Sequence, residues 1–96
     1  MGKIIFTDLA QDDIQGIVDY YDEINPTLTD KFLSELEFEQ SHIEKYPETC
    51  PKKTKNIRVC FLKRFRFGVY FKIFPEAIVV IAVLHTSRNP QIWKNR

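Results

Sequence analysis

Cysteine, glycine and tryptophan are scarce in this 96-residue chain, which has two Cys, three Gly, five Pro and one Trp. So little glycine and proline excludes a collagen-like repeat, a low-complexity chain or a largely disordered one. The two cysteines, Cys50 and Cys60, stand in no CxxC or histidine-rich spacing, so the sequence predicts no zinc site, no other metal and no cofactor. Long apolar runs are missing too. The longest, Ala77 to Leu84, is 8 residues and cannot span a bilayer as a helix. The opening Met1-Gly2-Lys3-Ile4-Ile5-Phe6 is too short for a signal peptide and is interrupted by Asp8. These absences lead to the expectation of a cytoplasmic protein with reduced thiols and no membrane partner, forming a single domain over residues 1–96.

What is present supports one packed core, since 44% of the residues are hydrophobic and 28% charged. The formal net charge of +1 conceals a division. Up to residue 48 there are 3 Lys+Arg against 12 Asp+Glu, and beyond it 11 against 1. A basic half can bind an acidic partner or a nucleic acid while an acidic half repels it.

The pattern of elements follows that division. Lys3 to Phe6 reads as a short strand, and Thr7 or Asp8 then caps a helix whose apolar stripe is Ala10, Ile14, Ile17, Val18 and Tyr21. Asn25-Pro26 ends that helix and starts a second, with Pro26 at the first helical position where its missing N–H costs nothing. Leu28, Phe32, Leu36 and Ile43 recur at helical spacing. Asp30, Glu35, Glu37, Glu39 and Glu44 are assigned mostly to the other faces, until Tyr46-Pro47 stops the helix.

After the basic connection Cys50 to Asn56, the period changes to two. Ile57, Val59 and Phe61 alternate with Arg58 and Cys60; Phe65, Phe67, Val69, Phe71 and Ile73 alternate with Arg66, Gly68, Tyr70 and Lys72. If both apolar rows share a face, Phe61 pairs with Phe65 and Val59 with Phe67. The opposite face is then basic, carrying Arg58, Arg66, Tyr70 and Lys72, with Lys63 and Arg64 at the turn. Ala77 to Leu84, apolar throughout, suits a central strand covered on both sides. The last segment, Asn89 to Arg96, is a short tail of at most about two helical turns. The expected class is α+β: a short N-terminal strand, a helical hairpin, a three-stranded antiparallel β-meander and a short C-terminal tail.

This order, with the stretch Arg64-Phe65-Arg66-Phe67-Gly68-Val69-Tyr70-Phe71 and the ending His85-x-x-Arg88-x-Pro90-x-x-Trp93, resembles the RelE/ParE toxin superfamily of type II toxin–antitoxin systems. The first stretch is similar to the ParE-branch pattern Arg-Phe-Pro-Tyr-x-Ile-x-Tyr, and the resemblance covers nearly the whole chain. It implies a toxin of a plasmid-stabilisation type, wrapped and suppressed by a cognate antitoxin. Operator DNA would be reached only indirectly, through the antitoxin. ParE-like members poison DNA gyrase; RelE-like members enter the ribosome and cut mRNA. RelE-like nucleases usually carry an Arg just before the hydrophobic-Val-Tyr stretch of the middle strand, and Gly68 stands at that place here. The loss removes a cation from the scissile phosphate.

Each candidate residue has two readings. His85 is a weak candidate for a general acid, but a strand-end His more often satisfies a backbone carbonyl. Arg88 matches the Arg that RelE carries after its last strand; it either contacts phosphate or gyrase, or pairs with an acid of the hairpin. Trp93 stacks on a base or, more simply, anchors the tail. The favoured reading is a binding inhibitor rather than an enzyme, with gyrase contacted by Arg58, Lys63, Arg64, Arg66, Tyr70, Lys72, Arg88 and Trp93. The alternatives are a ribosome-dependent endoribonuclease using His85 or Arg88, and an inactive relative.

Overall fold

The computed structural model describes residues 3–87, 94 and 96. Within them the order is β1 (Lys3–Phe6), α1 (Asp8–Ile24), α2 (Pro26–Lys45), a 3₁₀ turn (Pro47–Thr49), β2 (Arg58–Phe61), β3 (Phe67–Ile73) and β4 (Ala77–His85). The helix boundaries follow from local chemistry. Thr7 Oγ1 accepts the Ala10 N–H at 3.1 Å and caps α1. Asn25 serves two helices: its N–H closes α1 on the Tyr21 carbonyl at 2.7 Å, and its Oδ1 accepts the Thr27 N–H at 3.0 Å to open α2. Thr29 Oγ1 then donates to Asp22 Oδ1 at 2.6 Å across the hairpin.

The α+β class holds, but the sheet has four strands in the order β1-β4-β3-β2, and β1 joins parallel to β4. The sheet is therefore mixed rather than an antiparallel meander alone. β4, apolar along its length, is central as expected, between β1 and β3. The β2–β3 register differs from the expected one. Val59 pairs with Tyr70, Cys60 with Val69 and Phe61 with Gly68. This is an odd displacement from the Val59–Phe67 pairing, and it exchanges the faces of β2 relative to β3.

Consequently Cys60, Phe67, Val69, Phe71, Ile78, Val80 and Val83 pack with Ala10, Ile17, Phe32, Leu36 and Ile43 of the helices. Ile57, Val59, Tyr70, Ile81 and Ala82 form a second buried cluster across the sheet. Both Ile81 and Ala82 belong to that second cluster because a bulge interrupts the β3–β4 ladder: Tyr70 pairs with Ala82 and Phe71 with Val80, leaving Ile81 as the extra residue. Beyond the bulge β4 has outrun β1, and side chains take over its backbone groups. Asp13 Oδ2 accepts the Val83 N–H at 3.0 Å, and Arg96 Nη1 donates to the Ile81 carbonyl at 3.2 Å while pairing with Asp13.

An aromatic group of Tyr21, Phe32, Phe65 and Phe67, with ring centroids 5.5–6.1 Å apart, fixes the hairpin to the start of β3. No helix among the described residues is long and apolar enough to cross a membrane.

Candidate partner-binding surface

The new register disperses the expected basic face into two separate places. Arg58 lies opposite Phe71 and so on the helix side of the sheet. Its Nη1 donates to the Glu48 carbonyl at 3.1 Å and the Cys50 carbonyl at 2.7 Å, holding the connection after α2 against β2. It still borders a groove of about 370 Å³ with Lys52, Lys55 and Lys72, where Ile73 and Phe74 supply exposed apolar surface and Glu48 the one acid. Two of these cations, Lys52 and Lys55, come from the basic connection and were absent from the sequence-based set. Four cations around one concavity raise the local potential for an acidic partner.

Lys63 and Arg64 stand elsewhere, in the loop between β2 and β3, where they meet the acidic helix α2. The Arg64 N–H donates to Glu35 Oε1 at 2.7 Å, and Lys63 Nζ lies 5.9 Å from the Phe38 ring centroid. They line a second groove, of about 480 Å³, with Asp30, Lys31 and Phe38. Arg66 is exposed, and its carbonyl accepts the Thr86 N–H at 2.8 Å. Tyr70 is no surface residue. It is 5% exposed within the second apolar cluster, and burial pushes its phenol above the usual range. Arg88 and Trp93 lie outside the described residues.

His85 closes β4 beside its register partner Phe67, ring centroids 5.2 Å apart and edge to face. Its Nδ1 accepts the Ser87 N–H at 3.1 Å. This bond leaves Nε2 to carry the proton of the neutral ring. The adjoining groove, about 680 Å³, is lined by Ile17, Tyr20, Tyr21, Ile24, Phe67 and Ser87, with no Lys or Arg among its described lining residues. Burial, with Tyr20 alongside, pushes the Tyr21 phenol up, which disfavours Tyr21 as a nucleophile at neutral pH. Among the described residues the lining of this groove is mostly aromatic and apolar.

Gly68 occupies the place where a RelE-like nuclease carries its Arg, and packing explains why it has no side chain. A Cβ there would stand 2.9 Å from Val59 Cγ2 and 3.3 Å from the Phe61 ring. Glycine lets β2 and β3 close over this point.

A last constellation went unread in the sequence. Glu39, on the buried stripe of α2 rather than its outer faces, accepts the Cys60 thiol at 3.0 Å. The Cys50 thiol is pulled below its ordinary value by its hydrogen bond with Cys60. That same bond, burial and the Glu39 carboxylate push the Cys60 thiol up.

No curated protein matches the chain. Among solved structures, one described as the chromosomal ParDE toxin–antitoxin system from P. aeruginosa superposes with a TM-score of 0.79 at 19% identity, covering 91% of this chain and 98% of that one. At that identity the likeness establishes the fold. The family model for the ParE toxin of type II toxin–antitoxin systems matches residues 4–90. The chain belongs to the ParE toxin family of type II toxin–antitoxin systems.

Proposed function

We propose that this toxin arrests growth by binding DNA gyrase rather than by cutting RNA, and that a cognate antitoxin neutralises it. The observation that carries the reading is the close approach of the Val59 and Phe61 side chains to Gly68, so that any side chain at that point of β3, an arginine included, would have to displace them. The concavity of Lys52, Lys55, Arg58 and Lys72, rimmed by Ile73 and Phe74, has the mixed cationic and apolar character of a surface for an acidic patch on a protein.

An amphipathic antitoxin segment fits the helical hairpin instead. There Tyr20, Ile24, Leu33 and Phe38 are exposed, and Lys63 and Arg64 flank Phe38. Contact with operator DNA would then run through the antitoxin. The test is purified full-length toxin added to a gyrase supercoiling reaction. Dose-dependent inhibition, relieved by stoichiometric antitoxin, is expected; full supercoiling at saturating toxin would overturn the reading.

A further inference from the structure

We infer that the chain carries a zinc-type metal site formed by His42, Cys50 and Cys60, with the Glu39 carboxylate beside Cys60, at the seam between the end of α2 and β2. The ligand atoms of His42, Cys50 and Cys60 all lie within 4.8 Å of one another, and Glu39 Oε1 is 3.0 Å from Cys60 Sγ. Zinc bonds of about 2.3 Å to sulfur and about 2.0–2.1 Å to imidazole place tetrahedral ligands about 3.5–3.8 Å apart. Closing the three ligand atoms onto a metal therefore takes shifts of about an ångström. Two thiols and an imidazole suit zinc, and thiolates disfavour magnesium or calcium.

Glu39 is the second observation, independent of the cysteines. It is 5% exposed, on a helix stripe otherwise made of Thr29, Phe32, Leu36 and Ile43. Among the described residues its hydrogen-bond partner is the Cys60 thiol, a weak donor. Glu39 also borders the groove of Lys63 and Arg64, and a cation held by the thiols would add to its compensation.

The surroundings also prepare the imidazole. Thr49 Oγ1 donates to the Tyr46 carbonyl at 2.7 Å, so His42 Nε2, 2.9 Å from the same oxygen, is the donor to Thr49. That bond leaves the lone pair of the neutral ring on Nδ1 and orients the imidazole, as hydrogen bonds commonly do for histidine ligands. On binding, each cysteine thiol gives its proton to solvent and each sulfur forms a bond to the metal.

Glu39 and His42 come from one helix face, Cys50 from the end of the 3₁₀ turn and Cys60 from edge strand β2. Three protein ligands from a helix, a turn and a strand staple β2 and the basic connection to α2. The site stands apart from the gyrase reading, which could fail without affecting it.

The test uses the full-length chain under a phosphine reductant, titrated with cobalt(II) as a spectroscopic probe and then with zinc. One cobalt per chain is expected, with a sulfur-to-cobalt charge-transfer band and tetrahedral visible bands that zinc abolishes. Cys50→Ser and His42→Ala are each expected to weaken binding about 100-fold, and Glu39→Gln about 10-fold or more. Zinc should raise the melting temperature of the native chain but not of the His42→Ala chain, whose half-buried side chain can be removed with the helix intact. Failure of the native chain to bind cobalt, unaltered binding in Cys50→Ser, or conversion of the two thiols to an intramolecular disulfide in the presence of equimolar zinc would each overturn the proposal.

Discussion

Gly68 and Val59 approach so closely across β3 and β2 that a single added carbon would stand 2.9 Å from Val59 Cγ2. A side chain at that position must displace the side chains of Val59 and Phe61. Gly68→Ala is expected to destabilise the fold by about 1–3 kcal/mol, the usual cost of overpacking, and Gly68→Arg by more. Urea denaturation of the two variants checks this.

Asp13 and Arg96 close the open edge of β4 with a 2.5 Å ion pair whose side chains are each 15% exposed. Asp13 also accepts the Val83 N–H, so Asp13→Ala removes two charge-assisted contacts and leaves Arg96 unpaired. It should cost about 2–3 kcal/mol by chemical denaturation, more than Arg96→Ala. Equal losses from the two variants would show that the Asp13–Val83 contact contributes no more than the Arg96–Ile81 contact.

Tyr21 and Tyr70 have phenols held above the ordinary value by burial, Tyr21 with help from Tyr20. The folded chain thus retains phenolic protons that the unfolded chain has lost. Their contribution to stability is present below about pH 10, the unfolded value, and falls as pH rises through the higher folded values. Urea midpoints at rising alkaline pH should decline beyond that point. Tyr21→Phe and Tyr70→Phe should each flatten the decline.

Arg58 and Lys72 share a groove but differ in duty. Arg58 bonds two backbone carbonyls, and Lys72 sits half-buried at the rim. Arg58→Ala should lower stability by about 1–3 kcal/mol as well as weakening toxicity. Lys72→Ala should weaken toxicity with stability nearly unchanged. Growth arrest measured beside denaturation midpoints separates the two.

The helices were legible because their signals are local: the Thr7 and Asn25 caps, Pro26, and the apolar spacing each act within one turn. The β2–β3 register was not. Alternation within a strand reports parity, but with both faces of the sheet apolar nothing in Ile57, Val59 and Phe61 says which row of β3 they face. Gly68 held the missing signal, as the residue without a side chain that can sit opposite Phe61. The cluster at Cys60 was hidden for a different reason. Its members are brought together by topology from a helix, a turn and a strand, at spacings that match no metal motif. Glu39 was the one visible clue, a carboxylate between Leu36 and Ile43 on the helix stripe.

The most direct test of the central claim is controlled expression of the full-length chain without its antitoxin, with plasmid supercoiling and mRNA integrity measured in the same culture. Growth arrest with lost supercoiling, DNA damage and intact mRNA is the predicted result. Growth arrest with cleaved mRNA and normal supercoiling would contradict it.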